Sequence, residues 1–218
     1  MPQLFAPLKQ GSIKTRVADA IRQAIYSGKL RPGDSLLELQ LAKDFRVSQT
    51  TVREALMQLE QLGLVRRFPN RGTQVTELTP KEVRERLDIR VELECLASLQ
   101  AARQMDQRTA NRLLELADSI HSMTAKRDYA GAAQADLEFH RSIWAVSGND
   151  TLAQVLLHVS APLFAFVSIL RSRSDGDLGM VLHSHREIVD ALLNGDADLV
   201  RSTIQNHFAG SYERFTGA

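Results

Sequence analysis

Val47-Ser48-Gln49-Thr50-Thr51-Val52-Arg53-Glu54-Ala55-Leu56-Met57-Gln58-Leu59-Glu60-Gln61-Leu62-Gly63 decides the fold of the first third of this chain. Ser48 suits a helix N-cap, because its hydroxyl can accept a backbone N–H of the first turn. Leu56, Leu59 and Leu62 then recur at helical spacing and turn inward, and Gly63 ends the run. The stretch predicts a helix over 48–62. Its opening places short polar side chains and a cation at the positive end of a helix dipole, which suits insertion into the major groove of double-stranded DNA. Gln49, Thr50 and Thr51 are short enough to reach base edges, and Arg53 can reach a phosphate or a guanine.

Working outward, Ile13, Val17, Ile21 and Ile25 are spaced by four and predict a helix over 8–28. Ser27-Gly28-Lys29 ends it, and Arg31-Pro32-Gly33-Asp34 is turn chemistry. A short second helix over 37–45 and a tight turn at Arg46-Val47 lead into the quoted stretch. Beyond Gly63, Leu64-Val65-Arg66-Arg67-Phe68 and Thr73-Gln74-Val75-Thr76 alternate like strands around a hairpin tip, Pro69-Asn70-Arg71-Gly72. Arg66, Arg67, Arg71 and Gly72 are placed as a wing would approach the DNA backbone or minor groove. Helix, helix, wing predicts a winged helix-turn-helix DNA-binding domain over 8–76. A single arginine such as Arg66 could equally be solvating a surface. The order of elements and their charge carry the reading.

That charge is asymmetric. The chain of 218 residues has a net charge of only +1, yet residues 1–76 hold 12 Lys and Arg against 6 Asp and Glu, while the remainder holds 15 against 20. A basic first part on an acidic remainder implies an anionic partner for the first part alone. Cys95 is the single cysteine, so no intrachain disulfide framework exists. The N-terminus lacks a signal-peptide stretch. The most apolar segment, 151–170, contains Gln154, His158 and Pro162 and reads as a core helix rather than a membrane span. These features lead us to expect a soluble, cytoplasmic protein with no membrane partner.

After Thr79-Pro80-Lys81-Glu82, a capping box with proline at the first helical position, every period is helical. Helices are predicted over 80–103, 107–126, 129–147, 150–172, 178–194 and 197–215. The expected fold is therefore mainly α, a winged helix-turn-helix followed by an all-α bundle of about six helices over 79–218.

Within that bundle, Asp136 and His140 lie four apart on a face with Ala133, Ile143 and Trp144, so they should point inward. His185 shares register with Ile188, Val189 and Leu192, whereas His183 shares it with Arg186, Glu187 and Asp190 and should face water. His207 follows Val200, Thr203 and Ile204, with Ser211 in the same register. One such histidine would be an ordinary hydrogen-bonded core residue. Three imidazoles and a carboxylate delivered by three helices suit a divalent transition metal with positions left open. Zinc is the first expectation, with nickel, manganese or iron as alternatives.

Ser27-Gly28-Lys29-Leu30-Arg31-Pro32-Gly33-Asp34-Ser35-Leu36, Leu41-Ala42, Val47-Ser48, Val52-Arg53-Glu54-Ala55-Leu56, Leu59-Glu60, Gly63-Leu64-Val65 and Arg71-Gly72-Thr73 resemble the winged-helix domain of the GntR family. The resemblance implies DNA binding as a homodimer, with Arg53, the start of the recognition helix and the wing in contact with a palindromic operator. There are two departures, Gln40 where the family commonly has Glu and Gln49 where it often has Arg, and the second suggests an altered operator preference. The second part is similar to the FCD effector domain of the FadR-like subfamily, closest to its six-helix, VanR-like branch. Ile89-Arg90-Val91-Glu92-Leu93-Glu94 matches that domain's first helix, and Asp136 to His140, His185-Arg186-Glu187-Ile188 and His207 match its metal-binding members. This resemblance implies a small carboxylate effector that completes the metal's coordination and pairs with Arg90. Arg90 shares register with Val83, Leu87 and Ala97, and a plain ion pair with Glu94 is the competing reading. A ligand-relieved repressor is what the resemblance implies. A direct metal sensor, and a metal-dependent hydrolase carrying a DNA-binding domain, are the alternatives.

Overall fold

The computed structural model describes residues 12–69, 71–173 and 185–216, with side chains described for 12–69, 71–170 and 185–209. Asn70 and His183, the side chain of Ser211 and the expected helical start at 178–184 lie outside the described residues.

The head opens with α1 (Ile13–Tyr26), where Val17, Ile21 and Ile25 are buried as their spacing of four demands. A two-residue strand β1 (Ser35–Leu36) precedes α2 (Glu38–Phe45) and α3 (Gln49–Gln61). Ser48 caps α3, its Oγ accepting from the Thr51 N–H at 3.1 Å. Leu56 and Leu59 are buried with Val52 and Ala55, whereas Leu62 at the C-cap is only partly buried. Strands β2 (Val65–Phe68) and β3 (Gly72–Val75) form the wing hairpin, with Val65 opposite Val75 and Phe68 opposite Gly72. The sequence pattern predicts two of these strands, 64–68 and 73–76. The third, β1, pairs Ser35 with Gln74 and Leu36 with Thr73, giving an antiparallel order β1-β3-β2. Two residues carry too short a pattern to signal a strand. This one exists because β3 supplies its partner and Leu36 its burial.

The second part begins at α4 (Pro80–Ala102), whose capping box is formed in both directions. The Thr79 Oγ accepts from the Glu82 N–H at 3.2 Å, and Glu82 Oε2 accepts from the Thr79 N–H at 2.8 Å. It continues through α5 (Gln107–Ala125), α6 (Tyr129–Val146), α7 (Asp150–Arg173), α8 (His185–Asn194) and α9 (Ala197–Thr216). Asp106 and Asp128 cap α5 and α6. The fold is thus a winged helix-turn-helix followed by an all-α bundle. One apolar core of the bundle joins Leu113, Phe139, Ile143, Leu163, Val189 and Ile204. The apolar window of α7, Asp150–Leu170, is two-thirds buried, as a core helix is.

Helix α7 also carries the head. A second core runs from Ile21, Leu56 and Leu59 to Leu156, Phe164 and Ile169. The buried Tyr26 donates its OH to the Ala161 carbonyl at 3.2 Å, and the Ser168 hydroxyl donates to the Tyr26 carbonyl at 2.7 Å. His158 Nδ1 lies 2.7 Å from the Gln61 carbonyl, which can only accept, so the proton sits on Nδ1. Pro162 inside α7 has no N–H for the His158 carbonyl. Arg86 of α4 supplies one, its Nη1 reaching the His158 and Val159 carbonyls at 3.3 Å. Gly63, at φ +71°, packs so closely that a Cβ there would stand 3.1 Å from Pro162 Cγ. This glycine is needed both for its left-handed backbone and for the approach of head to bundle.

Candidate metal centre and nucleic-acid interface

Helix α6 carries Asp136 and His140 one turn apart, α8 carries His185 at its first described residue, and α9 carries His207. Each helix buries the face on which its histidine sits, so the three imidazoles meet inside the bundle. Their ligand-type nitrogens all lie within 4.8 Å of one another. Asp136 Oδ1 lies 3.0 Å from His185 Nε2 and 3.5 Å from His140 Nε2. His140 and His207 are buried, whereas the Asp136 side chain keeps 24% exposure. Asp136 is thus the most exposed of the four side chains.

The donors fit a divalent transition ion. Metal–nitrogen bonds of about 2.0–2.1 Å place neighbouring ligand nitrogens about 3 Å apart, closer than the 4.8 Å within which the three lie here, so binding would draw the imidazoles together. Burial holds the His207 imidazole well below its usual pKa, reinforced by His140 and His185, and so favours the neutral, ligating form. Burial alone would raise the Asp136 carboxyl, but the adjacent His185 foremost, with His140, outweighs it and keeps the group well below the usual carboxylate range.

Beneath His140 lies a residue that sequence reasoning treated only as a partner for Arg90. Glu94 is fully buried on α4. Its Oε1 accepts from Arg90 Nε at 3.1 Å and its Oε2 from Trp144 Nε1 at 2.8 Å. His140 Nδ1 lies 3.2 Å from Oε1 and 3.3 Å from Oε2. The Glu94 carboxylate accepts from His140 Nδ1–H and leaves Nε2 on the Asp136 side of the ring. Burial pushes the Glu94 carboxyl up, but His140, Arg90 and Trp144 together hold it lowered. Glu94 stands on the Nδ1 side of His140, and Asp136 on the Nε2 side. The spacing of four between Arg90 and Glu94 signalled their pairing. Nothing local signalled His140 or Trp144, which come from a different helix.

Arg90 is buried, and its guanidinium lies over the rings of Phe164, at 4.4 Å, and Phe208, at 4.5 Å. The ion pair with Glu94 is formed, Glu94 joins Arg90 to His140, and Phe208 lies against Arg90, His140 and His207. Asp136, His140, His185 and His207 are brought together, and Arg90 is linked to them through Glu94.

The head presents Ser48, Gln49, Thr50, Thr51 and Arg53 along the first turns of α3, with Thr50 and Arg53 exposed. Gln49 Nε2 donates to Glu38 Oε2 at 2.9 Å, and Arg53 grips the same carboxylate through Nε at 3.2 Å and Nη2 at 2.9 Å. Arg67 and Arg71 are exposed on the wing, with Gly72 at φ +77° closing the hairpin. Arg67 Nε stands 3.9 Å from Glu60. Arg66 points elsewhere: its Nη2 lies 2.6 Å from Glu82 of the α4 capping box. Glu38 was missed in the sequence, although its place at the first residue of α2 keeps it opposite the start of α3.

Comparison with known proteins gives a consistent picture. The family described as bacterial regulatory proteins, gntR family, matches residues 13–75, and the FCD domain matches residues 85–210. An uncharacterized HTH-type transcriptional regulator of Bacillus subtilis (strain 168), YdhC, is 30% identical over 192 residues, 86% of this chain and 84% of that protein. A probable D-xylose utilization operon transcriptional repressor of Paenarthrobacter nicotinovorans is 30% identical over 202 residues, 93% and 88% of the two chains. Among solved structures, E. coli McbR/YncC shares the fold with a TM-score of 0.82 at 20% identity, over 95% of this chain and 99% of that one.

Proposed function

This chain belongs to the GntR family of bacterial transcription regulators with an FCD domain, and from that premise we propose that it is a ligand-responsive repressor, acting as a homodimer on a palindromic operator. The observation that carries the proposal is the meeting of three imidazoles, a carboxylate and a buried arginine inside the bundle. Asp136, His140, His185 and His207 hold a divalent transition ion, zinc first and nickel, manganese or iron as alternatives. When bound, that ion offers an open Lewis-acid position to an anionic oxygen. Arg90, its guanidinium held against Phe164 and Phe208, pairs with a small carboxylate effector. Repression is the sense suggested by the D-xylose relative.

Ser48, Gln49, Thr50, Thr51 and Arg53 enter the major groove, and Arg67, Arg71 and Gly72 bring the wing to the backbone. Arg66, engaged by Glu82, braces the wing against the bundle. Two heads on one two-fold axis give the operator its symmetry. The effector's differential affinity for two head arrangements sets the change in DNA affinity.

The test is metal analysis of the purified protein together with gel-shift assays against genomic DNA fragments, with and without chelator and a panel of small carboxylic acids. About one transition-metal ion per chain, and a shift that responds to the acids, supports the reading. Retention of no DNA under any condition overturns it. Operator affinity that follows metal concentration with no organic acid present favours a direct metal sensor.

A further inference from the structure

Glu38 is a carboxylate on the face that meets DNA, where a negative charge opposes phosphate. Its surroundings give it a use. One edge of the Arg53 guanidinium, Nε with Nη2, is taken by Glu38 through three contacts of 2.9 to 3.2 Å. No partner for Arg53 Nη1 is found among the described residues. Gln49 spends its Nε2 on the same carboxylate, so its Oε1 is the amide end turned away from it. Glu38 itself is 22% exposed and Arg53 is 52% exposed, so the acid lies behind and the base stands forward.

We infer that Glu38 is a specificity-determining positioning residue that locks Arg53 and Gln49 into one reading unit. The unit offers the outer guanidinium edge to guanine O6 and N7, and the Gln49 oxygen to the amino group of a neighbouring adenine or cytosine. The carboxylate removes the side-chain freedom that Arg53 would otherwise lose on binding, and it fixes which edge faces the groove. It also weakens attraction to the backbone at large, so it trades general affinity for discrimination. This inference rests on the proposal that the start of α3 reads DNA.

The experiment is selection from a random duplex library, followed by sequencing, for the full-length chain, E38Q and R53A. In the parent, guanine is enriched at a fixed position of the recognised site. In E38Q the preference for guanine at that position falls about tenfold, and R53A loses it at the same position. Three outcomes overturn the inference while leaving DNA reading intact. One is a parent motif unchanged in E38Q. Another is a motif whose guanine survives R53A. The third is E38Q binding every sequence more tightly with its preferences kept, which would make Glu38 a competitor for Arg53 rather than its support. A parent chain that enriches no sequence overturns the reading head itself, and this inference with it.

Discussion

At the scale of single residues, the bundle site depends on a carboxylate that touches no part of the metal position. Glu94 accepts from Arg90 and Trp144 and faces His140 Nδ1, so both of its oxygens are committed. Glutamine in its place must turn an NH2 group toward at least one donor. In Glu94→Gln, metal affinity should fall about 10–100-fold, the usual cost of losing the group that orients a ligating histidine. Competition against a chromophoric chelator measures this, and an unchanged affinity would reduce Glu94 to packing. Glu82 makes a second prediction. The Thr79 backbone N–H and then Arg66 lower its carboxyl from an ordinary 4.5 to about 2. A lowered folded-state value means that the stabilisation is complete above the ordinary value and is lost as pH falls toward about 2. Glu82→Gln should cost about 1 kcal/mol near pH 7, and the gap from the parent should close between about pH 4.5 and pH 2. Denaturant melts across that range check it, and a gap independent of pH would contradict the assignment.

At the scale of elements, α7 is the part that serves both ends of the molecule. Phe164 stacks on Arg90 at the effector end of the proposal, while Ala161, Pro162 and Ser168 hold α1 and Gly63. Gly63→Ala adds a Cβ 3.1 Å from Pro162 Cγ at a left-handed backbone position. It should destabilise the chain by about 1–3 kcal/mol, and amide hydrogen exchange should speed up in α1 and α3 more than in α5. Equal loss throughout would show that the joint is not where the strain falls. The sequence was informative where chemistry is local. Ser48 and Thr79 each cap a helix through a hydrogen bond to a residue three positions away, and such pairs can be read without a fold. The inward register of His140, His185 and His207 was legible for a similar reason, since each rides an apolar stripe of its own helix. What lay outside its reach is tertiary. Tyr26 meets Ala161 across 135 residues, and Glu94 meets His140 across 46. The strand β1 has no pattern apart from its partner. Arg66 looked like any wing arginine until Glu82 was placed beside it.

At the scale of the whole molecule, the charge asymmetry and the shared core bear on one claim. The basic head is not tethered loosely but packed onto α7, the helix whose Phe164 lies over Arg90 in the proposed effector site. A change in the bundle therefore has a continuous packed route to the start of α3. The direct measurement is fluorescence anisotropy on a duplex selected by the chain itself. Affinity is read for metal-loaded protein, for chelated protein and for metal-loaded protein with each small carboxylate, in the parent and in His207→Ala. The account predicts that metal together with one carboxylate class changes the parent's affinity at least about fivefold, the lower range of allosteric coupling, and leaves His207→Ala unmoved. A parent whose affinity is the same in metal, in chelator and across every acid would contradict it.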